Sequence, residues 1–594
     1  MPTLGTGTCG RAPTGDRRGR HRPAAGLQAR AGAAIAVLCT VLAACGPSSG
    51  STATQAASSG ALTREQVPSP LVTGPVAGRP LTSSTVPLAP AGYVEQEFFL
   101  RGTATSYQEA GSWGSDGRWR VRPSGQARYE TRILVRRPSD PARFNGTVIV
   151  EWLDAPGGLD SDPEFLWENA ELLRAGYAWA GVTTDGTVGQ PASIPVLRRE
   201  DPGRYGVLAD PGTEYDYSIY SQAAEALLRP AGVNPLGTLR PKALIADGDS
   251  GAAHSLVTYA NAIQPVDRLF DGFLIHGRGS NSAAIAADQP APADVRTRTD
   301  IGVPVLTVES ESEILDPGVK ALDYYPASQP DSADFRLWEI PGTSHVDATL
   351  LGLDHGQAAN AAPGPLGCSL PVNDGQESYV MDTALAQLNR WVRDGVLAMR
   401  APRIEVRDGQ IARDQYGNAL GGIRTPALQV PVATLSGYGN RSANGATFPG
   451  GVAGNPCELV GTSAPFSPER LRALYPTHAD YAADVARAVA SDVGSGVLLP
   501  ADARQIDQAA ASPAISAAGP TVIAPARLPC PSLAKFSLPQ SPKRARPPVA
   551  PRRSSVPGPV LLPGGTLQQS PAAIPGWRDD RRLYCRYRSG AART

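Results

Sequence analysis

Ser250 occupies the kind of sequence context in which a hydroxyl group becomes a nucleophile. It lies in the run Gly248-Asp-Ser-Gly-Ala252, which follows the apolar segment Ala243–Ala246 and precedes a segment with helical spacing. A serine held in a sharp strand-to-helix turn needs very small neighbours, because the backbone there is strained and closely packed. Gly248 and Ala252 meet this requirement. The run therefore predicts a nucleophile elbow that presents the Ser250 hydroxyl to an electrophilic carbon.

The order of histidines along the chain distinguishes two kinds of serine enzyme. Gly-Asp-Ser-Gly also surrounds the active-site serine of chymotrypsin-like proteases, but in those enzymes the histidine and the aspartate precede the serine. No histidine lies between the N-terminal leader and His254. α/β-Hydrolases instead place the serine first, then the acid and then the histidine. The chain therefore fits the hydrolase order and not the chymotrypsin order.

Three glutamates follow the predicted buried strand Val303–Val308, and each is a candidate for the acid: Glu309, Glu311 and Glu313. In hydrolases the acid lies on the loop after the penultimate strand. Glu313, five residues past the strand, fits best, with Glu311 second and Glu309 third. A solvated acidic loop is the alternative interpretation.

His345 is the candidate general base. It follows the last predicted strand, Phe335–Ile340, on a turn that contains Gly342. A base at this place would take the serine proton and pass it to the leaving group, while a carboxylate holds its other ring nitrogen. His355 is the rival candidate but lies farther from a strand end. An ordinary surface-loop histidine is the alternative for His345.

Backbone N–H groups are expected to stabilise the oxyanion that forms during acyl transfer. The predicted donors are Gly251, directly after the serine, and Leu153, just past the strand that ends near Trp152. Loss of one such donor typically raises the barrier by about 3 kcal/mol. Asp160 and Asp162 could bind calcium, but two carboxylates without a fuller loop usually cap the following helix. We therefore expect no metal and no other cofactor.

The elements that must position these residues alternate between short apolar runs and amphipathic helices. This alternation predicts crossover connections and a mostly parallel sheet covered by helices, which is an α/β fold. We expect the core at residues 89–400 and a C-terminal extension packed on it at 401–515. Residues 516–594 are rich in Pro and Arg, lack periodicity, and are expected to be a disordered tail.

Residues 1–44 resemble the signal peptide of a bacterial lipoprotein. Basic residues are followed by the apolar segment Ala31–Ala44, which is too short to span a bilayer. Leu42-Ala-Ala-Cys45 resembles a lipobox, whose cysteine is acylated after cleavage. We therefore expect an exported protein, anchored at the cell envelope through a lipid on Cys45 and a flexible tether at residues 45–88. A secreted protein without the lipid is the alternative.

Cysteines of an exported chain tend to pair, because its compartment is oxidising. Beyond the leader and Cys45, the chain has four cysteines, namely Cys368, Cys457, Cys530 and Cys585. Cys368 and Cys457 are the candidate disulfide, since both lie in the predicted folded body. The spacings match no zinc-binding pattern.

The formal net charge of zero combines three unlike regions. Residues 1–45 carry six Arg against one Asp, and residues 531–594 carry twelve basic residues against two Asp. The 485 residues between them carry 37 basic and 52 acidic residues. A nucleic-acid-binding surface requires a basic face, so we expect no nucleic-acid partner for the main body. Contact with a membrane is expected only through the lipid anchor.

The stretch from about residue 90 to 510 resembles a family of bacterial proteins known as an alpha/beta hydrolase domain family. The resemblance rests on Val150-Glu-Trp-Leu-Asp154 with Gly157-Gly158, Arg174-Ala-Gly-Tyr-Ala-Trp179, Ile245-Ala-Asp-Gly-Asp-Ser250, Asp271-Gly-Phe-Leu-Ile-His276, Pro371-Val-Asn-Asp-Gly375 and Asn418-Ala-Leu-Gly-Gly-Ile-Arg-Thr-Pro426. It implies an α/β-hydrolase fold that includes the extension beyond residue 400. The chain departs from the family at Asp249 and Gly251, where Glu and Gln are expected, and at Glu313, where Asp is more usual.

These observations together predict a serine carboxylic ester hydrolase that acts on a small-molecule ester through an acyl-enzyme at Ser250. Ester rather than amide is a preference from base rates, because a fold does not fix a function. Two alternatives stay open. The same residues would serve an acyltransferase that excludes water, and a non-catalytic lipoprotein could bind a ligand in a hydrolase-type pocket.

Overall fold

The structure is a computed structural model that describes residues 67–155, 158–184, 192–316, 322–353, 367–443 and 456–512. The chain divides into two units, Met1–Pro525 and Ala526–Thr594, and every described residue belongs to the first. The predictions that fall outside the described residues are the signal peptide, Cys45, His355, Cys530, Cys585 and the tail at 516–594.

The described part of the chain contains a ten-stranded sheet. Its strands are β1 Leu71–Thr73, β2 Tyr93–Glu109, β3 Val121–Pro138, β4 Thr147–Trp152, β5 Ala178–Val182, β6 Ala231–Gly232, β7 Ala243–Asp249, β8 Gly272–His276, β9 Val305–Ser310 and β10 Phe335–Ile340. They lie in the order β10-β9-β8-β7-β4-β5-β3-β2-β1-β6. The strands from β10 to β5 pair in parallel, and β3 and β2 join them antiparallel. The predicted mostly parallel α/β fold is confirmed.

Helices connect the strands of the sheet, and further helices follow β10 in the chain. They are α1 Pro163–Ala175, α2 Ser193–Glu200, α3 Pro202–Tyr205, α4 Asp216–Leu228, α5 Ser250–Thr258, α6 Gln264–Asp267, α7 Glu311–Ile314, α8 Glu377–Asp394, α9 Pro426–Gln429, α10 Pro468–Leu474, α11 His478–Ser495 and α12 Pro500–Ala510. None of the helices in the described ranges is both long enough and apolar enough to cross a membrane. Two two-stranded antiparallel sheets lie in the C-terminal part: β11 Val406–Arg407 with β12 Gln410–Ile411, and β13 Ala433–Ser436 with β14 Thr462–Pro465.

Apolar side chains of the central strands are buried on both faces of the sheet. In β4, Val148 and Val150 belong to one apolar cluster, and Ile149 between them belongs to another. Successive side chains of a strand point to opposite faces, so the two clusters lie on opposite sides of the sheet. Leu256 of α5 packs in the first cluster and Leu388 of α8 in the second. This double cover explains why the strands read as nearly continuous apolar runs.

The folded body begins earlier than the sequence predicts. Strand β1 lies inside the segment 45–88 that we expected to be a tether, pairs antiparallel with β2, and buries Val72. The tether interpretation is therefore wrong for this strand. A three-residue strand with one inward side chain is too short to show a periodicity, so the sequence pattern did not reveal it.

The C-terminal extension contacts the core through polar groups. The backbone N–H of Ile404 donates to Glu339 Oε2 at 2.6 Å. Arg174 of α1 pairs with Asp502 of α12, with 2.7 Å between Nη2 and Oδ2. Both acceptors are buried carboxylates. These contacts lie within the region expected at 401–515.

Candidate active site

Ser250 is the first residue of α5 and directly follows β7. Its φ of +56° lies in the left-handed region, which costs a non-glycine residue about 1–2 kcal/mol. Gly248 allows the close turn, because a Cβ at that position would lie 3.1 Å from Leu256 Cδ1 and 3.2 Å from Ala252 Cβ. The local geometry is the strained strand-to-helix turn that the small neighbours of Ser250 predict.

His345 follows β10 and lies between a hydroxyl and a carboxylate. Its Nε2 is 3.1 Å from Ser250 Oγ, and its Nδ1 is 3.0 Å from Glu313 Oε1. Its backbone N–H donates to Ser312 Oγ at 2.8 Å, which fixes the loop against α7. The structure therefore brings the three side chains that sequence order singled out into one hydrogen-bonded row.

The three candidate acids have different surroundings. Glu313 contacts His345, and its second carboxylate oxygen accepts from the Ser310 N–H at 2.5 Å. Glu311 turns to the extension and accepts from Arg413 Nη2 at 2.7 Å. Glu309 is buried, and its carboxylate has no hydrogen-bond partner in the described ranges. Residues two apart on a helical turn point in very different directions, so Glu311 and Glu313 of α7 do not share a partner.

The electrostatics of this row favour charge separation between Glu313 and His345. Burial acts to raise the pKa of Glu313, but the hydrogen bond and charge of His345 outweigh it and hold that pKa below its ordinary value. Burial acts to lower the pKa of His345, but the negative charges of Asp249 and Glu313 raise it to about 9. The imidazole of the free protein therefore becomes a proton acceptor for Ser250 as the pH rises toward 9.

The two predicted oxyanion donors differ in availability. The Gly251 N–H lies in the first turn of α5, where a helix offers no carbonyl four residues back. The Leu153 N–H instead donates to the Val182 carbonyl at 3.2 Å. The prediction for Leu153 is wrong, because the ladder between β4 and β5 continues one residue past Trp152 and takes up this donor.

Gly277 is a site residue that sequence reasoning missed. It directly follows β8 with φ +59°, and a Cβ at that position would collide with Asp249 Oδ1 and lie 3.1 Å from His345 Nδ1. A side chain at 277 would therefore displace the imidazole. The available signal was a glycine immediately after a strand end, next to His276.

His276, the last residue of β8, lies between two buried carboxylates. Its Nδ1 is 3.1 Å from Glu164 Oε1, and its Nε2 is 3.2 Å from Glu377 Oε1. Burial acts against its charge, but Glu164 and Glu377 raise the pKa of His276 well above its ordinary value. Both ring nitrogens are occupied, so this histidine holds α1 and α8 to the sheet.

A disulfide joins Cys368 and Cys457, the pair proposed from the sequence, with 1.99 Å between the sulfur atoms. The Val346 N–H, next to His345, donates to the Leu459 carbonyl at 2.9 Å. The loop that carries His345 is thus hydrogen-bonded to a segment that begins beside the disulfide.

The chain matches a family model over residues 65–508, and that model is described as an alpha/beta hydrolase domain. The chain belongs to the alpha/beta hydrolase domain family. The matched region includes β1, ahead of residue 89, and most of the C-terminal extension. The extension is therefore part of this alpha/beta hydrolase domain, as the resemblance implied.

Solved structures with similarity to this alpha/beta hydrolase domain protein include enzymes of different reactions. An esterase from Rhizomucor miehei is 12% identical, with 50% of this chain and 85% of that chain covered and a TM-score of 0.26. A glucuronoyl esterase from Solibacter usitatus is 10% identical, with coverages of 42% and 76% and a TM-score of 0.23. Oligopeptidase B from Leishmania major is 11% identical, with coverages of 42% and 33% and a TM-score of 0.22. No curated protein matches the chain.

Proposed function

We propose that this member of the alpha/beta hydrolase domain family is a serine carboxylic ester hydrolase. Ser250 is the nucleophile, His345 the general base and Glu313 the carboxylate that orients the imidazole. The observation that carries the proposal is the continuous row from Ser250 Oγ through both nitrogens of His345 to Glu313, with contacts of 3.1 and 3.0 Å. Such a row is the geometric requirement for activating a serine hydroxyl.

The reaction follows from the roles of these groups. Ser250 Oγ attacks the ester carbonyl carbon while His345 Nε2 accepts the hydroxyl proton, and Glu313 stabilises the resulting imidazolium. The Gly251 N–H donates to the developing oxyanion. The imidazolium then protonates the departing alkoxide, which leaves an acyl group on Ser250. A water molecule, deprotonated by the same imidazole, attacks this acyl-enzyme, and the imidazolium then returns the proton to Ser250 Oγ as the carboxylic acid leaves.

A direct test compares hydrolysis of nitrophenyl esters of graded acyl length by wild type, Ser250→Ala and Ser255→Ala. Ser255 lies on the same helix, and its hydroxyl contacts a backbone carbonyl of α5, so it is the matched control. We expect hydrolysis by wild type and Ser255→Ala, and a loss of about 10⁴-fold or more in Ser250→Ala. Equal rates in all three proteins would contradict the proposal. Ester products formed from an added alcohol would instead identify an acyltransferase.

We further propose that the protein is exported and anchored by a lipid on Cys45. The basic and apolar leader supports this proposal, and so does the disulfide between Cys368 and Cys457, which suits an oxidising compartment. Growth with a radioactive fatty acid should label the wild-type protein and not Cys45→Ala. Unlabelled wild-type protein released to the medium would support plain secretion instead.

A further inference from the structure

A second group of acidic side chains lies beside the strand that leads to Ser250. Glu164 and Glu168 are one turn apart on α1, so their side chains share a face of the helix. Asp247 lies on β7, three residues before Ser250. One carboxylate oxygen from each of the three lies within 4.8 Å of the others, and all three side chains are fully buried.

Most oxygens of this group have no protein donor. Both oxygens of Glu168, both of Asp247 and Oε2 of Glu164 lack a hydrogen-bond partner among the residues that the structure describes. Among the described residues, the ion-pair contact of this group is the one between His276 Nδ1 and Glu164 Oε1, at 3.1 Å. An ionised carboxylate buried without a partner costs several kcal/mol. His276 supplies a cationic partner to Oε1 of Glu164 only, so Glu168 and Asp247 in their ionised forms have no ion-pair partner among the described residues.

Neighbouring groups already have partners and are poorer ligand candidates. Glu151 lies opposite Asp247 in the sheet, but its carboxylate accepts from the Trp179 indole N–H at 2.8 Å and from two backbone N–H groups of α1. The ring nitrogens of His276 both face carboxylates. The side chains that remain offer only oxygen atoms.

We propose that Glu164, Glu168 and Asp247 bind a hard divalent cation, Ca²⁺ or Mg²⁺. Carboxylate oxygens are the preferred ligands of both ions, and five oxygens without donors are available before any water is added. Glu164 already has His276 as a cationic partner, so the two positive charges of the ion match the two negative charges of Glu168 and Asp247. The ion links α1 to β7 and so stabilises the strand that leads to Ser250. It does not contact the substrate.

A proton shared between Glu168 and Asp247 is the competing explanation. Burial and the neighbouring carboxylates raise the pKa values of both groups well above their ordinary values, and a protonated carboxyl can donate to the other. A shared proton predicts no response to metal ions. The cation predicts a saturable response.

The experiment measures the metal content and Tm of the purified protein after chelator treatment and after addition of CaCl₂ or MgCl₂. We expect about one equivalent of bound ion and a rise in Tm of about 5 °C at saturation with the preferred metal. Absence of bound metal in wild type at millimolar Ca²⁺ and Mg²⁺ would overturn the proposal, whatever the variants do.

Two nearly isosteric variants locate the ion, Glu168→Gln and Asp247→Asn. Each should lose the metal-dependent rise in Tm and at least tenfold in metal affinity. Glu309→Gln is the matched control, because Glu309 is also a buried carboxylate without a partner in the described ranges but lies on β9, outside this group. It should keep the full response. An unchanged response in Glu168→Gln would place the ion elsewhere and overturn the proposal.

Discussion

Two buried histidines lie at the carboxyl edge of the sheet and differ in what faces their ring nitrogens. His345 has a carboxylate at Nδ1, 3.0 Å away, and the hydroxyl of Ser250 at Nε2, 3.1 Å away. His276 has carboxylates at both nitrogens, 3.1 and 3.2 Å away. An imidazole between an acid and a hydroxyl can move a proton, whereas one between two carboxylates is held as a cation. Surroundings, not residue type, separate the proposed base from the structural histidine.

The largest expected contrast is between His345→Gln and His276→Gln. His345→Gln should lower kcat for ester hydrolysis about 10⁴-fold, because Ser250 loses its base. His276→Gln should lower the free energy of unfolding by about 3–5 kcal/mol, because two buried carboxylates lose their cation. Nitrophenyl ester assays measure kcat, and urea unfolding measures the free energy of unfolding, in both variants. If the two variants lost kcat equally and both kept the wild-type free energy of unfolding, the distinction between a catalytic His345 and a structural His276 would be contradicted.

Glu313→Gln and Glu311→Gln form the next contrast, two positions apart on α7. Glu313→Gln should lower kcat about 10³- to 10⁴-fold, since the imidazole loses the carboxylate that orients it. Glu311→Gln should change kcat less than tenfold but lower the free energy of unfolding by about 1–3 kcal/mol, because Arg413 loses a charged acceptor. The reverse pattern in the same assays would make Glu311 the acid.

The order of nucleophile, acid and base along the chain could be predicted from the sequence. The choice of acid and the backbone N–H donors to the oxyanion could not. Ser250, Glu313 and His345 each follow an apolar strand, and parallel strands bring such ends to one edge. The choice between Glu311 and Glu313 depends on the direction in which a single helical turn faces. The error at Leu153 reflects a strand ladder that continues one residue farther than the apolar run.

The group of Glu164, Glu168 and Asp247 could not be predicted from the sequence, for a different reason. Glu164 and Glu168 read as ordinary helix residues, and Asp247 directly follows an apolar run about eighty positions later. Only the packing of α1 on β7 brings their carboxylates together. A local pattern carries no information about such a contact.

The dependence of kcat/KM on pH also distinguishes the two histidines. Turnover requires His345 to change its charge, whereas it requires no change of charge at His276. With a pKa of about 9, the neutral base becomes more abundant as pH rises, so kcat/KM should increase about tenfold per unit between pH 6 and 8 and level off above 9. The stabilising contribution of the raised pKa is complete below about 6.5 and is lost as pH rises through 9. A flat rate profile from pH 6 to 9 would contradict this base.

The smallest expected effect on rate comes from the disulfide. The double variant Cys368→Ser/Cys457→Ser should lower the free energy of unfolding by about 2–4 kcal/mol, because the bridge closes a long loop. Its kcat should fall only a few-fold, through a looser loop at His345. Wild type treated with reductant is the matched control and should show the same changes in the free energy of unfolding and in kcat as the double variant. A loss of kcat as large as that of His345→Gln would give the disulfide a direct role in the site.

The central claim, that His345 activates Ser250, is tested most directly by covalent labelling with a fluorophosphonate followed by peptide mass spectrometry. We expect a single adduct on the peptide that contains Ser250, no adduct there in Ser250→Ala, and labelling at least 10³-fold slower in His345→Gln. Labelling of folded wild type at another serine, or labelling of Ser250 at the same rate without His345, would contradict it.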